Sequence, residues 1–138
     1  MNHKKRVRLL AETRIKDGGE EQILRHAGYG MLELTEDHVS LEYDDRQDND
    51  SAHIVLSGNR HKIQMVRDGT AKGMLKFVPG EETVSKYVLE FGEIDIRINT
   101  LKIECCMQET DGYIVLEYQS KMNDTGMNDT RYVCRWKS

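Results

Sequence analysis

Arg67 falls at a position where an alternating strand places its inward-facing side chains. If Ile63 and Met65 point into a core, strand alternation turns Arg67 to the same face. A guanidinium group on an apolar face needs hydrogen-bond partners. It can find them in an internal carboxylate or tyrosine, in solvent at the mouth of a barrel, or in the anionic group of a bound molecule.

Aromatic side chains on later strands follow the same alternation. Tyr87 alternates in step with Leu89 and Phe91, and Tyr118 in step with Leu116. An apolar cavity with a few convergent polar groups suits a small acidic or amphipathic molecule. The sequence therefore predicts such a cavity, with an arginine as the anion partner and apolar and aromatic walls. The predicted ligand-binding residues are Arg67, Tyr87, Tyr118, Met65 and Phe91.

The sequence shows no constellation for catalysis or for metal binding. It contains no P-loop, GxGxxG, HExxH, GxSxG or CxxC motif, and its five histidines form no HxH or HxxxH pair. Cys105 and Cys106 are adjacent, so in a strand they face opposite sides and cannot readily bind one metal ion. We therefore expect no metal, no cofactor and no catalytic residue, and we rank an enzyme third among the functional classes.

Strands must position these residues, because the apolar pattern has a period of two. Val7, Leu9 and Ala11 alternate with charged residues, and later runs repeat the pattern. Asp111-Gly112, between two alternating runs, is the strongest hairpin signal. The segment 20–27 lacks clear alternation but is too short for a stable isolated helix, so we assign it as strand.

The alternation predicts an all-β, antiparallel sandwich or barrel. Strands of about 6–10 residues with turns every 8–12 residues indicate about eight to ten strands and under about 15% helix. The 138 residues suit one domain, 1–138, and no linker divides them. On the last strands, Cys105 is expected to face the core, Cys106 the solvent, and Cys134 the interior.

The composition narrows the classes of partner and the cellular location that we expect. Lys plus Arg is 20 and Asp plus Glu is 24, giving a net charge of −4, which argues against a nucleic-acid binder. No stretch approaches the roughly 18 apolar residues of a membrane span, and the start has no signal-peptide core, so we expect no membrane partner. Three cysteines make a poor disulfide framework, and we expect a cytoplasmic protein.

An ordered series of short motifs resembles a known family. The series runs through the stretch 62–69, then Met74–Phe77, then 87–100 with its Phe91-Gly92 turn, and ends in Asp111-Gly112 and Leu116–Tyr118. It resembles the YwiB-like family of small bacterial proteins of undefined function over roughly residues 7–136. The resemblance implies a single lipocalin-like (calycin) β-barrel and implies no activity.

Two classes of function remain ahead of an enzyme. The first is non-enzymatic binding of a small acidic or amphipathic molecule inside the barrel. The alternative is a protein-interaction or homodimerisation module whose barrel is filled and holds no ligand. Apolar residues on the outer faces of strands, or an unprotected edge strand, would favour that alternative. The candidates for such exposed apolar residues are Leu10, Val55, Val66 and Val115.

Overall fold

The computed structural model describes residues 4–47, 50–123 and 126–138, and within these ranges the chain forms ten strands and no helix. The predicted all-β architecture is confirmed, including a strand where the segment 20–27 lacks alternation. The strands are β1 (Lys5–Asp17), β2 (Glu20–Leu34), β3 (Val39–Gln47), β4 (Asp50–Asn59), β5 (Lys62–Gly69), β6 (Lys72–Phe77), β7 (Glu82–Leu89), β8 (Gly92–Cys106), β9 (Asp111–Met122) and β10 (Met127–Lys137).

The ten strands close into one antiparallel barrel. Each strand pairs with its neighbours in sequence, and β1 also pairs with β10, with Leu9 opposite Trp136. Closure leaves neither the first nor the last strand as a free edge. Strand direction alternates around the barrel, so β1, β3, β5, β7 and β9 all finish at the same end, which we call the mouth.

The predicted hairpin before β9 forms, but its turn lies at 107–110 and not at Asp111-Gly112. Asp111 already pairs with Lys137, so β9 begins there. Gly112 serves packing inside the strand, because a side-chain Cβ at this position would lie 2.3 Å from the Trp136 ring. The Asp-Gly pair therefore predicted the hairpin correctly but placed its turn too late in the sequence.

The core fills the barrel away from the mouth. Trp136 and Phe77 are fully buried there, and the Trp136 indole Nε1–H donates to the Gln108 carbonyl at 2.8 Å. Large aliphatic side chains from nearly every strand surround them. The largest of these fully buried aliphatic residues are Leu32, Leu41, Leu56, Ile63, Ile98, Ile114 and Leu116.

One junction of the barrel is much less extensively paired than the others. β6 and β7 pair only at Lys72–Val88 and Gly73–Tyr87, next to the mouth. Farther along, the Thr83 hydroxyl donates to the Lys76 carbonyl at 2.6 Å. We call this junction the β6–β7 seam. Its short ladder of two residue pairs lies between the cavity described below and solvent.

Outer faces of the strands carry most of the charge. Leu10 and Val66 are exposed as expected, and Val55 is half-buried. The prediction for Val115 is wrong, because this residue is only 5% exposed. It lies on a central strand between Val133 and Glu104, whose side chains flank it on the same outer face. No helix in the described ranges is long and apolar enough to cross a membrane.

Candidate functional site

A cavity of about 450 Å³ occupies the mouth half of the barrel. Its walls come from all ten strands, because inward positions near the mouth on each strand converge on it. A volume of this size lies within the range of small-molecule sites. The lining residues are Ala11, Thr13, Leu24, His26, Tyr43, Asp45, Ile54, Met65, Arg67, Ala71, Leu75, Tyr87, Leu89, Ile94, Tyr118, Met122 and Tyr132.

The cavity has a polar side and an apolar side. The polar groups come mainly from β2, β3, β5 and β10, in His26, Tyr43, Arg67 and Tyr132. The wall from β6 to β9 adjoins Arg67 on β5, and besides Tyr87 and Tyr118 it is formed by aliphatic side chains. They are Ala71, Leu75, Leu89, Ile94 and Met122. The arrangement therefore suits a molecule with one polar and one apolar part.

Arg67 belongs to a cross-strand row that a glycine keeps open. In this row Ile54, Arg67, Gly73, Tyr87 and Ile94 are successive partners on β4 to β8. A Cβ on Gly73 would lie 2.1 Å from the Tyr87 ring, so the ring occupies the space that any other residue would fill. The glycine thus lets the tyrosine ring lie across β6.

Arg67 is held at the rim by one ion pair. Its Nη2 donates to Asp50 Oδ2 at 3.3 Å, and the Thr70 hydroxyl donates to the other oxygen of Asp50 at 2.8 Å. The side chains are 25% exposed for Arg67 and 44% for Asp50, so water screens the pair. A guanidinium has five N–H donors, and this contact uses one of them.

Two tyrosine hydroxyls meet beneath the polar wall. The hydroxyls of Tyr43 and Tyr132 are 2.8 Å apart, and burial raises the pKa of both phenols. His26 stacks on Tyr43 with ring centroids 5.4 Å apart, and its Nδ1 lies 3.8 Å from a carboxylate oxygen of Asp45. Both phenols therefore remain neutral at physiological pH. A neutral phenol can donate a hydrogen bond as well as accept one.

The remaining two tyrosines of the cavity are also neutral. Burial raises the pKa of Tyr87 and of Tyr118, and nearby Arg67 partly opposes the rise at Tyr87. The Tyr118 ring packs against Phe77 with centroids 4.8 Å apart, which ties the cavity floor to the core. These phenols contribute flat walls and hydrogen-bonding groups without charge.

Four of the five sequence-predicted site residues line the cavity. Arg67, Met65, Tyr87 and Tyr118 all face inward as alternation predicted, and Arg67 takes a mouth position with a carboxylate partner. The prediction for Phe91 is wrong, because its side chain is 85% exposed. β7 ends at Leu89, and Phe91 lies in the turn that follows, where strand alternation no longer sets the direction of a side chain.

Sequence reasoning missed several polar residues of the cavity. His26 lines the cavity near its rim, and the sequence pattern did not single it out as a site residue. Tyr43 and Asp45 were not singled out, although they continue the inward series of Val39 and Leu41 on β3. Period-two counting on that strand would have found them. The approach of Tyr43 to Tyr132 on β10 depends on how the barrel closes. Counting along a single strand cannot predict that.

A larger hollow on the outer surface is a weaker site. It measures about 730 Å³ and lies across β7 to β10. Its polar side chains satisfy one another, as shown by Arg97 with Glu82 and by Asn99 with Gln119, both at 3.3 Å. Over the described ranges, no group of three or more His, Cys, Asp or Glu residues could hold a metal ion.

Thiol reactivity tests the assignment of the last strands. Cys134 is buried and Cys105 packs against the core, and burial raises their pKa values to about 12 and about 11. Because the thiolate is the nucleophile, both should react slowly. We expect an alkylating reagent to label outward-facing Cys106 first, then Cys105, and Cys134 last, as followed by peptide mass spectrometry. Equal rates in the folded protein would contradict the assigned faces.

Comparison with known proteins gives the family. A model described as a domain of unknown function, DUF1934, matches residues 10–133, and the chain belongs to this family. The chain is similar to the uncharacterized β-barrel protein YwiB of Bacillus subtilis, at 24% identity over 118 residues, covering 86% of this chain and 83% of that protein.

A solved structure supports the same fold. The crystal structure of ywiB protein from Bacillus subtilis matches with a TM-score of 0.85 and 21% identity, covering 98% of this chain and 92% of that one. The barrel architecture is therefore shared across most of both chains. The sequence-based resemblance to the YwiB-like family is confirmed, and so is the barrel that it implied.

Proposed function

We propose that the protein binds a small amphipathic acid in the mouth of its barrel, without catalysis. The division of the cavity into a polar and an apolar side carries this proposal. A tail against Leu75, Leu89 and Ile94 would leave water, and an acidic group would meet Arg67, which lies beside this wall on β5. We also place the barrel among lipocalin-like (calycin) binding proteins.

The acidic residues of the mouth limit how strongly Arg67 can bind the acidic group of a ligand. Asp50 already contacts Arg67, and Asp45 lies near His26, so the polar side carries two acids as well as the Arg67 guanidinium. A ligand carboxylate must compete with Asp50 or use the guanidinium donors that Asp50 leaves. The proposed ligand therefore derives much of its affinity from the apolar side, and the acid selects its orientation.

We include a cytoplasmic location in the proposal. Cys105, Cys106 and Cys134 are free thiols, as a reducing compartment would keep them. The ligand would then be a small intracellular acid that the protein holds or carries. Mass spectrometry of the protein under native conditions would reveal any such molecule retained through purification.

Decanoate and 1-decanol provide a matched test, because they share a tail and differ in charge. We expect calorimetry to show decanoate binding to the wild type and a loss of about tenfold in Arg67→Met, since a charge-assisted hydrogen bond contributes about 1.5–3 kcal/mol. Binding of 1-decanol should change little. The unfolding free energy should fall by at most about 1 kcal/mol, because the Asp50 pair is partly exposed.

Arg97→Met is the control variant. Arg97 lies on the outer face and pairs with Glu82 at 3.3 Å, the distance found between Arg67 and Asp50. Its replacement removes the same charge and should leave decanoate binding unchanged. Failure of the wild type to bind decanoate, or equal loss in both variants, would contradict a site at Arg67.

A further inference from the structure

An apolar surface lies on the outer side of the β6–β7 seam. It consists of Val66, Met74, Val84 and Val88, which are between 38% and 57% exposed, and we call it the seam face. Val66 and Met74 are direct cross-strand partners. Val88 pairs with Lys72, two residues before Met74, which keeps it within diagonal contact range. Val66, Met74 and Val88 therefore form one patch across β5, β6 and β7, and Val84 lies farther along the same face of β7, with Lys86 between it and Val88.

The charged residues around the seam face are mostly paired within the chain. Lys72 pairs with Asp68 at 3.5 Å on the β5–β6 side. On the β7–β8 side, two further ion pairs form at the surface. They are Lys86 with Glu93 at 3.7 Å and Arg97 with Glu82 at 3.3 Å. These contacts neutralise most of the charge at the edge of the patch.

The charges left over are segregated by sign. Lys62 and Lys76 lie on the β5–β6 side, and Glu90 and Asp95 lie on the β7–β8 side, and none of the four forms an ion pair with a described residue. The lysines lie toward the end opposite the mouth, whereas the acids lie toward the mouth. An apolar patch thus separates two basic from two acidic groups along a diagonal.

We propose that the seam face binds a second copy of this chain. A two-fold axis lying in the interface and oblique to the strands exchanges the two corners of the patch. It places Lys76 opposite Asp95 of the second copy and Lys62 opposite Glu90, while the apolar residues meet between them. A single-sign partner, such as an anionic membrane, would meet repulsion at one corner.

The arrangement is independent of the ligand proposal. The seam face points outward, whereas the cavity is lined by inward-facing residues, with Tyr87 contributed by the same junction. Two copies joined by their seam faces therefore keep both mouths open. Loss of one property need not accompany loss of the other.

Sedimentation equilibrium tests the dimer. We expect the wild type to dimerise reversibly at micromolar concentrations, and Val88→Lys to weaken the dimer at least about tenfold by placing a charge in the apolar patch. Leu10→Lys is the matched control, since Leu10 is 46% exposed and Val88 48%. A wild type that stays monomeric, or equal weakening in both variants, would overturn the proposal.

Charge reversal tests the two-fold arrangement. Lys76→Glu should weaken the dimer about tenfold, because two carboxylates would then face each other in each half of the interface. Adding Asp95→Lys to the same chain should restore the wild-type dissociation constant. Circular dichroism confirms that each variant keeps its strands. If the double variant remains as weak as the single one, the proposed pairing is overturned.

Discussion

Phe77→Ala should lower the free energy of unfolding by about 3–5 kcal/mol, the usual cost of deleting a buried aromatic side chain. Phe77 is fully buried at the end of β6, and its ring packs against Tyr118 beneath the cavity. The unpaired part of the β6–β7 seam adjoins it, so side-chain packing and not a backbone ladder holds the barrel wall together there. Denaturant unfolding followed through Trp136 fluorescence measures the effect.

Phe91→Ala is the matched control, because the chain contains two phenylalanines in opposite environments. Phe91 is 85% exposed, and its removal should change the unfolding free energy by less than about 0.5 kcal/mol. If Phe77→Ala is too unstable to purify, Phe77→Leu should still unfold at lower denaturant than the wild type. Similar costs for both alanine variants would contradict the placement of Phe91 in an exposed turn.

The fold was largely predictable because its signals are local. Alternation of apolar and polar residues specifies a strand, and turn residues between such runs specify hairpins. β2 needed a further argument, since Gly28 and Gly30 interrupt its apolar face. A Cβ at Gly30 would lie 2.4 Å from the Leu9 side chain on β1, so the β1–β2 hairpin needs a residue without a side chain there.

The site was less predictable, because its residues meet through closure and not through sequence spacing. Alternation placed Arg67 and Tyr118 inside correctly, each from its own strand. It could not reveal that Asp50 lies beside Arg67, or that Tyr43 on β3 reaches Tyr132 on β10. These contacts are set by barrel diameter and strand stagger.

The short pairing between β6 and β7 was also not predictable from the sequence. The run from Ala71 to Phe91 reads as two ordinary strands with a turn at Pro79-Gly80. Nothing in that pattern shows that β6 and β7 pair at only two positions. At Gly73 the Tyr87 ring takes the place of a side chain, which lets the two strands approach closely at this position. This residue therefore connects the seam, the cavity wall and Arg67.

Gly73→Ala should destabilise the protein by about 3 kcal/mol, at the upper end of the usual cost of overpacking. The new Cβ would lie 2.1 Å from the Tyr87 ring and 2.8 Å from the Lys86 carbonyl oxygen. The ring can turn away, but the carbonyl belongs to the backbone and the short ladder must shift with it. Because this moves a cavity wall next to Arg67, decanoate affinity should also fall.

A double-mutant cycle identifies the contact responsible. In a Tyr87→Ala background, Gly73→Ala should cost less than in the wild type, since the nearest clash is gone while the carbonyl contact remains. Gly126→Ala is the control, because a Cβ there meets open space and should leave the denaturant midpoint unchanged. An equal cost of Gly73→Ala in both backgrounds would show that the ring contact does not require glycine. The close approach of β6 and β7 at Gly73 would then need another cause than the packing of Tyr87 on this residue.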